Sequence, residues 1–392
     1  MFKNIQPKWY IGIIALLVTI VFFILGAFPL QLHFGMWGFA LTQLGILVIA
    51  LVPVFLFKWK LSDVMPLKKV TLKQLSATLL LLVATFIVVN AVNIITTYLF
   101  PEAAEVGAYI TEFFATVPLV VAILLVGVLT GICEEALHRG LIQYSFKDNK
   151  NELAVMLIMA VIFGVFHLSS YRFLPTAIVG FVLTYVMIKT HNFIIPVIYH
   201  AVHNIIAVTI GYFVGAGADQ TVAMPLASVG VFLIVAAVTP FLFYAGIWLL
   251  NGVKPGKKVT YVALALTVIL PAVGIGIQAA APAPTGMYVT NFTMTHYVNN
   301  ETEPSIFNHM VIEDEGMFDL FVSISDETNT VVTSVIVEHE DGGVIWEMSG
   351  GMFFVNFPTH LRPGTYRVTF TYETESVDMV LVGINFSVRY IG

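Results

Sequence analysis

In a chain dominated by apolar side chains, the residues able to do acid–base work gather in three short stretches. They read Cys133-Glu134-Glu135-Ala136-Leu137-His138-Arg139-Gly140, Phe163-Gly164-Val165-Phe166-His167 and His200-Ala201-Val202-His203-Asn204. Glu135 and Arg139 are four residues apart, so on a helix they share a face as an ion pair. Glu134 has no such cation, and on the same helix it points about 100° away from Glu135. A carboxylate without a counter-charge in a low-dielectric setting suits the work of a general base. His200 and Asn204 also share one face, and His167 comes from a third helix. Glu134, His167, His200 and Asn204 would then meet around one water-accessible cavity. Such a set could take a proton from water and donate hydrogen bonds to a developing negative charge.

The elements that must hold these side chains follow from composition. Of 392 residues, 58% are apolar and 11% charged, and mean hydropathy is +0.90. Soluble domains carry roughly 25% charged residues, so a water-soluble globule is excluded. A net charge of −6 speaks against a nucleic-acid partner. The single cysteine, Cys133, rules out an intrachain disulfide and a Cys-rich zinc site. A helix spanning ~30 Å of hydrocarbon needs about 20 apolar residues. Nine segments read as spans: 9–30, 35–57, 76–100, 118–146, 153–170, 173–190, 193–217, 225–251 and 259–281. With the N-terminus inside, thirteen lysines fall in the inside segments, while the outside loops hold only Arg172. By the positive-inside rule this orients the chain in the plasma membrane with a cytoplasmic N-terminus.

Charge divides the chain again near Ala279–Pro284. Residues 285–392 hold fifteen Asp/Glu and three Arg and lack a run long enough to span. Their Val-, Ile-, Thr-, Phe- and Tyr-rich segments at 318–325, 331–338, 344–348, 364–372 and 379–390 alternate with turn signals at Asp341-Gly342-Gly343, Gly350-Gly351 and Arg362-Pro363-Gly364. The expected architecture is an all-α polytopic membrane bundle of about nine transmembrane helices over residues 1–284. A small all-β, sandwich-like extracytoplasmic domain follows over 285–392.

The three stretches together resemble the CAAX prenyl protease and bacteriocin-processing family of intramembrane proteases. Its motifs EExxxR, FxxxH and HxxxN stand here as Glu134-Glu135…Arg139, Phe163…His167 and His200…Asn204, in order, within a core of about 75–215. The resemblance implies an intramembrane endopeptidase acting on a membrane-associated protein or peptide, with its cavity opening toward the cytoplasm. It further implies that Glu134 and His167 activate water, that His200 and Asn204 stabilise the oxyanion, and that Glu135 and Arg139 support them. Two departures are His138, where the family usually has an aromatic or apolar residue, and the β domain, which lies outside the family core.

Other readings stand beside these. Two His and one Glu can hold catalytic zinc, so the reaction requires either no cofactor or a divalent metal such as zinc on Glu134, His167 and His200. The HExxH spacing is absent, and Glu135-x-x-His138 is half of a di-iron motif without a second copy. Cys133 reads as a packing residue, and His203 as a hydrogen-bonded core histidine or a support for Asn204. His138 either lines the cavity or snorkels toward the cytoplasm. Arg172 reads as an interfacial anchor, and Pro196 as a kink four residues before His200. A proton-coupled transporter predicts more ionisable residues on other helices, and a non-catalytic scaffold or immunity protein would leave the external domain to bind a surface partner.

Overall fold

The computed structural model describes residues 6–214, 225–281, 288–298, 305–312, 315–325, 331–352, 354–373 and 380–390. They form two compact units, one ending at Ala281 and one starting at Pro282. The first is helical. In chain order it contains α1 (Trp9–Leu56), α2 (Leu72–Leu99), α3 (Glu102–Ala115), α4 (Leu119–Ser145), α5 (Glu152–Phe166), α6 (Ser170–Thr190), α7 (Ile194–Val214), α8 (Leu226–Asn251) and α9 (Lys257–Ala280). Among the described residues, seven helices are long and apolar enough to cross a membrane. The chain is a multi-pass membrane protein.

The seven differ from the nine spans read in the sequence at two places. Segments 9–30 and 35–57 form one uninterrupted helical run, α1, and 153–170 appears as α5, which has 15 residues. Yet α1 is not straight. Gly35 sits at φ 53°, ψ −129°, outside helical geometry. In a straight helix Gln31 and Thr42 would be about 16 Å apart, but Gln31 Nε2 donates to Thr42 Oγ1 at 3.4 Å. The chain therefore folds back at Gly35 into two arms. A Cβ on Gly38 would overlap the Leu30 carbonyl oxygen, so that turn needs glycine.

Local signals explain several helix starts. Thr71 and Gln74 form a capping box at the head of α2, and Asn151 accepts the Ala154 N–H at the head of α5. Helix α5 stops at Phe166, and the chain turns at Leu168, a non-glycine residue held at φ 50°. Two features were not readable in advance. The acidic loop 101–117 carries the amphipathic helix α3, and α4 alternates between α and π geometry, with π turns at Ile123–Leu129 and Ala136–Ile142 on either side of Glu134. Pro196 lies in the first turn of α7, where proline is tolerated.

The second unit holds eight strands: β1 (Tyr288–Val298), β2 (Ser305–Ile312), β3 (Gly316–Ser325), β4 (Val331–His339), β5 (Val344–Met352), β6 (Phe354–Leu361), β7 (Gly364–Glu373) and β8 (Val380–Tyr390). They make two antiparallel four-stranded sheets, ordered β1-β8-β3-β6 and β2-β7-β4-β5. Alternate residues such as Val335 and Val337 or Tyr366, Val368 and Phe370 are buried, as the period-two pattern requires. Asp341-Gly342-Gly343 and Arg362-Pro363-Gly364 turn as expected. Gly350-Gly351 does not, because β5 continues through it.

Candidate functional site

Small residues set the helix spacing on which the site depends. A Cβ on Gly131 of α4 would stand 3.1 Å from the Ala201 nitrogen of α7, so α4 and α7 touch along their backbones. That closeness puts the acidic pair of α4 beside His200. His200 Nδ1 lies 2.8 Å from Glu135 Oε1, and its Nε2 lies 3.9 Å from Glu134 Oε2. A carboxylate oxygen only accepts, so the Nδ1 proton of His200 points at Glu135.

The pairing of Glu135 with Arg139 forms as the spacing indicates, at 3.0 Å, with both side chains fully buried. Arg139 also donates to the Gly180 carbonyl of α6 at 3.0 Å, and its guanidinium stacks 4.7 Å over the Phe163 ring. Phe163 is a shared wall: its ring also meets His138, His167 and His200 at centroid separations of 4.8, 5.0 and 5.7 Å. That is a physical role for the aromatic of the second stretch. Its seat exists because Gly180 has no side chain; a Cβ there would stand 2.6 Å from the Phe163 Cβ.

Glu134 differs from its neighbour. It is buried, and its Oε2 has no hydrogen-bond partner among the described residues. Its Oε1 accepts from Gln43 Nε2 at 3.4 Å. Glu134, His167, His200 and Asn204 all line one cavity of about 1040 Å³, at the upper end of ligand-pocket sizes. His167 Nδ1 donates to the Phe163 carbonyl at 2.7 Å, which leaves Nε2 as the ring's acceptor. Asn204 Nδ2 donates one N–H to the Val126 carbonyl at 3.1 Å and keeps a second. Thus four side chains, from α4, from the residue that caps the end of α5 and from α7, share one hollow, while Glu135 and Arg139 are absent from its lining and brace it from behind.

Several expectations need correction. His138 neither lines the cavity nor snorkels: it is fully buried, donates to the Glu134 carbonyl at 2.8 Å and packs edge-on against Phe163 and Phe166. His203 is not a hydrogen-bonded core histidine. It lines the cavity, stacks parallel to Tyr199, and its Nδ1 has no partner among the described residues. Arg172 is not a mere interfacial anchor, since it also lines the cavity. Gln43 carries no charge and so does not stand out among ionisable side chains; its signal in the sequence is an amide inside an apolar run.

No group of three His, Cys, Asp or Glu side chains among the described residues is gathered as a metal-ligand set. The trio Glu134, His167 and His200 is therefore not drawn together as a zinc-ligand set.

The cavity also has a direction. It is lined by Gln31 near the end of the first arm of α1, Thr42 near the start of the second, Thr97 late in α2, much of α3, Thr130 early in α4, Tyr171 at the start of α6 and Tyr212 late in α7.

Residues 116–206 match the family described as type II CAAX prenyl endopeptidase Rce1-like. That segment is Rce1-like. It contains all three motif stretches and the four cavity side chains, and its likeness, at the level of family, is to a CAAX-type membrane protease. The chain is also similar to UPF0177 protein YxdF of Lactococcus lactis subsp. lactis (strain IL1403), with 26% identity over 164 residues, 41% of this chain and 90% of that protein. Gln43 and the whole of α3 lie outside the Rce1-like segment, so part of the cavity wall is built by chain that the match does not reach.

Proposed function

We propose that the cavity is the active site of an intramembrane endopeptidase, which hydrolyses a peptide bond of a membrane-associated protein or peptide by glutamate-activated water. The observation that carries this reading is Glu134 Oε2: a buried carboxylate oxygen with no hydrogen bond among the described residues, 3.9 Å from His200 Nε2, at a cavity shared with two imidazoles and an amide. Glu134 takes a proton from water while His167 Nε2 accepts the other water hydrogen and orients the oxygen. The water oxygen bonds to the scissile carbonyl carbon, and the carbonyl electrons move onto its oxygen. The free N–H of Asn204 donates to that oxyanion, and His200 adds a second donor when its Nε2 carries a proton, a contribution of about 3–4 kcal/mol per donor in other hydrolases. Collapse of the intermediate breaks the C–N bond, and Glu134 returns its proton to the amine.

The protein sits in the plasma membrane with its N-terminus cytoplasmic and its β unit extracytoplasmic, on the strength of the lysine distribution. Glu134→Gln keeps the side-chain shape and removes the base. Membrane proteomes of cells carrying the wild type and the variant should differ in at least one membrane protein that fails to mature, with variant protein levels unchanged. Identical proteomes would return the chain to the scaffold reading. Chelator treatment should leave processing intact; loss restored by zinc would overturn the water-only scheme.

A further inference from the structure

The resemblance to CAAX proteases carries the expectation of a cavity that opens toward the cytoplasm. The helical unit argues for the opposite end. All twelve described lysines of this unit lie at Lys8, in 58–73, at Lys147 and Lys150, at Lys189 and in 254–258. These segments are tied together at one end of the helices. Lys8 pairs with Asp148 at 3.6 Å, and Lys189 with Glu152 at 2.5 Å. Asn192 donates to the Lys68 carbonyl at 3.0 Å, and Asn251 to the Tyr185 hydroxyl at 3.0 Å.

The cavity is built from the other end. Each helix from α1 to α7 that flanks the lysine segments contributes lining residues from its middle or from the half remote from the lysines. The far ends are themselves in contact: the Phe100 ring meets Tyr171 at 6.0 Å, and Phe39 meets Phe114 of α3 at 5.9 Å. Helix α3 joins two of these far ends. Its inward face, including Gly107 and Thr111, lines the cavity, while Glu102, Glu105 and Glu112 are exposed. At that end Arg172 is the one Lys or Arg among the described residues. Glu134 lies eleven residues before Ser145, about 16 Å of helix rise from the lysine end, so it stands near mid-membrane.

Lysine-rich short loops stay cytoplasmic. We infer that the cavity opens to the extracytoplasmic side, so that its occupant is a peptide segment presented from outside: an exported peptide or the outer juxtamembrane stretch of a membrane protein. The inference deepens the hydrolase reading by naming the face of the membrane from which substrate enters. Its geometric half does not depend on that reading.

Single-cysteine labelling tests the geometry. In a Cys133→Ala background, Thr97→Cys and Thr111→Cys report the cavity, and Lys150→Cys reports the lysine end. A sulfonated, membrane-impermeant maleimide is applied to right-side-out and to inverted membrane vesicles holding the full chain. The two cavity positions should label at least tenfold faster in right-side-out vesicles, and Lys150→Cys at least tenfold faster in inverted ones. The reverse pattern would overturn the inference. A second arm uses tethered reporters with a randomised twelve-residue stretch placed on the outer or the inner face of one anchoring helix. Wild type, compared with Glu134→Gln, should cut only the outer pool. Cleavage confined to the inner pool would sink the inference even with outward labelling. Outward labelling with neither pool cut would remove both the hydrolase reading and the substrate assignment, and would leave only the direction of the cavity.

Discussion

Replacing Arg139 by methionine isolates the brace behind the site. In the folded protein the guanidinium is buried with Glu135, donates to Glu135 and to the Gly180 carbonyl, and covers the Phe163 ring. Removing one member of a buried pair strands the other charge, and such changes cost about 3–5 kcal/mol. Here Glu135 retains one partner, His200 at 2.8 Å, so the low end applies. A loss of about 3 kcal/mol lowers the folded-to-unfolded ratio by roughly a hundredfold. Arg139→Lys keeps the charge yet cannot hold two bonds in the guanidinium's fixed fork, so it should fall between. Glu135→Gln combined with Arg139→Met removes both charges and should recover much of the loss. The assay is equilibrium unfolding in mixed detergent micelles, followed by tryptophan fluorescence. A single Arg139→Met variant within 1 kcal/mol of wild type, with no recovery in the double variant, would refute the argument that this pair holds α4 against α6.

Three further outcomes follow from particular contacts. Gln43→Leu removes the amide that donates to Glu134; losing a hydrogen bond to a charged group is worth about 1.5 kcal/mol, so turnover of a cleaved outer-face reporter should fall roughly tenfold with protein levels maintained. Gly180→Ala drives a methyl into the Phe163 seat. Overpacking of this kind costs about 1–3 kcal/mol, and the same unfolding assay should show it, whereas Gly276→Ala, with nothing nearby to strike, should be silent. In the β unit the Asp341 carboxyl is held down to about 2 by the Gly343 N–H first, then by His339 and Arg362. A depressed carboxylate stabilises the fold above its unfolded value near 4, and that contribution fades as pH falls from about 4 toward 2. Asp341→Asn should therefore flatten the acid limb of β-unit unfolding in that window, monitored by circular dichroism. An unchanged limb would contradict this account.

The parts of the molecule legible in the sequence share a cause: they depend on neighbours close along the chain. Apolar runs mark helices whatever they pack against, and a spacing of four places Glu135 beside Arg139 inside one helix. Alternation likewise marks five of the eight strands among the described residues but not β1, β2 or β6, and Gly350-Gly351 reads as a turn where β5 in fact continues. Where the reading fell short, long-range contact or uncommon backbone geometry was responsible. Nothing local announces that α4 passes into π turns around Glu134, or that loop 101–117 coils into α3. His138 and His203 were each weighed by helical offset alone, and offset says nothing about which ring Phe163, Phe166 or Tyr199 will meet.

From its sequence alone this protein is a lysine-oriented membrane bundle with an acidic β unit and a Glu/His/His/Asn set of Rce1-like pattern. Hydropathy, charge and residue spacing act within single segments and survive any packing. The tertiary structure alone decided that Gln43 reaches Glu134 across 91 residues, that Arg172 and His203 face the same hollow, and that this hollow lies at the end away from the lysines. Those outcomes come from how close Gly131 and Gly180 let neighbouring helices approach, and helix approach is a property of pairs that no single segment contains.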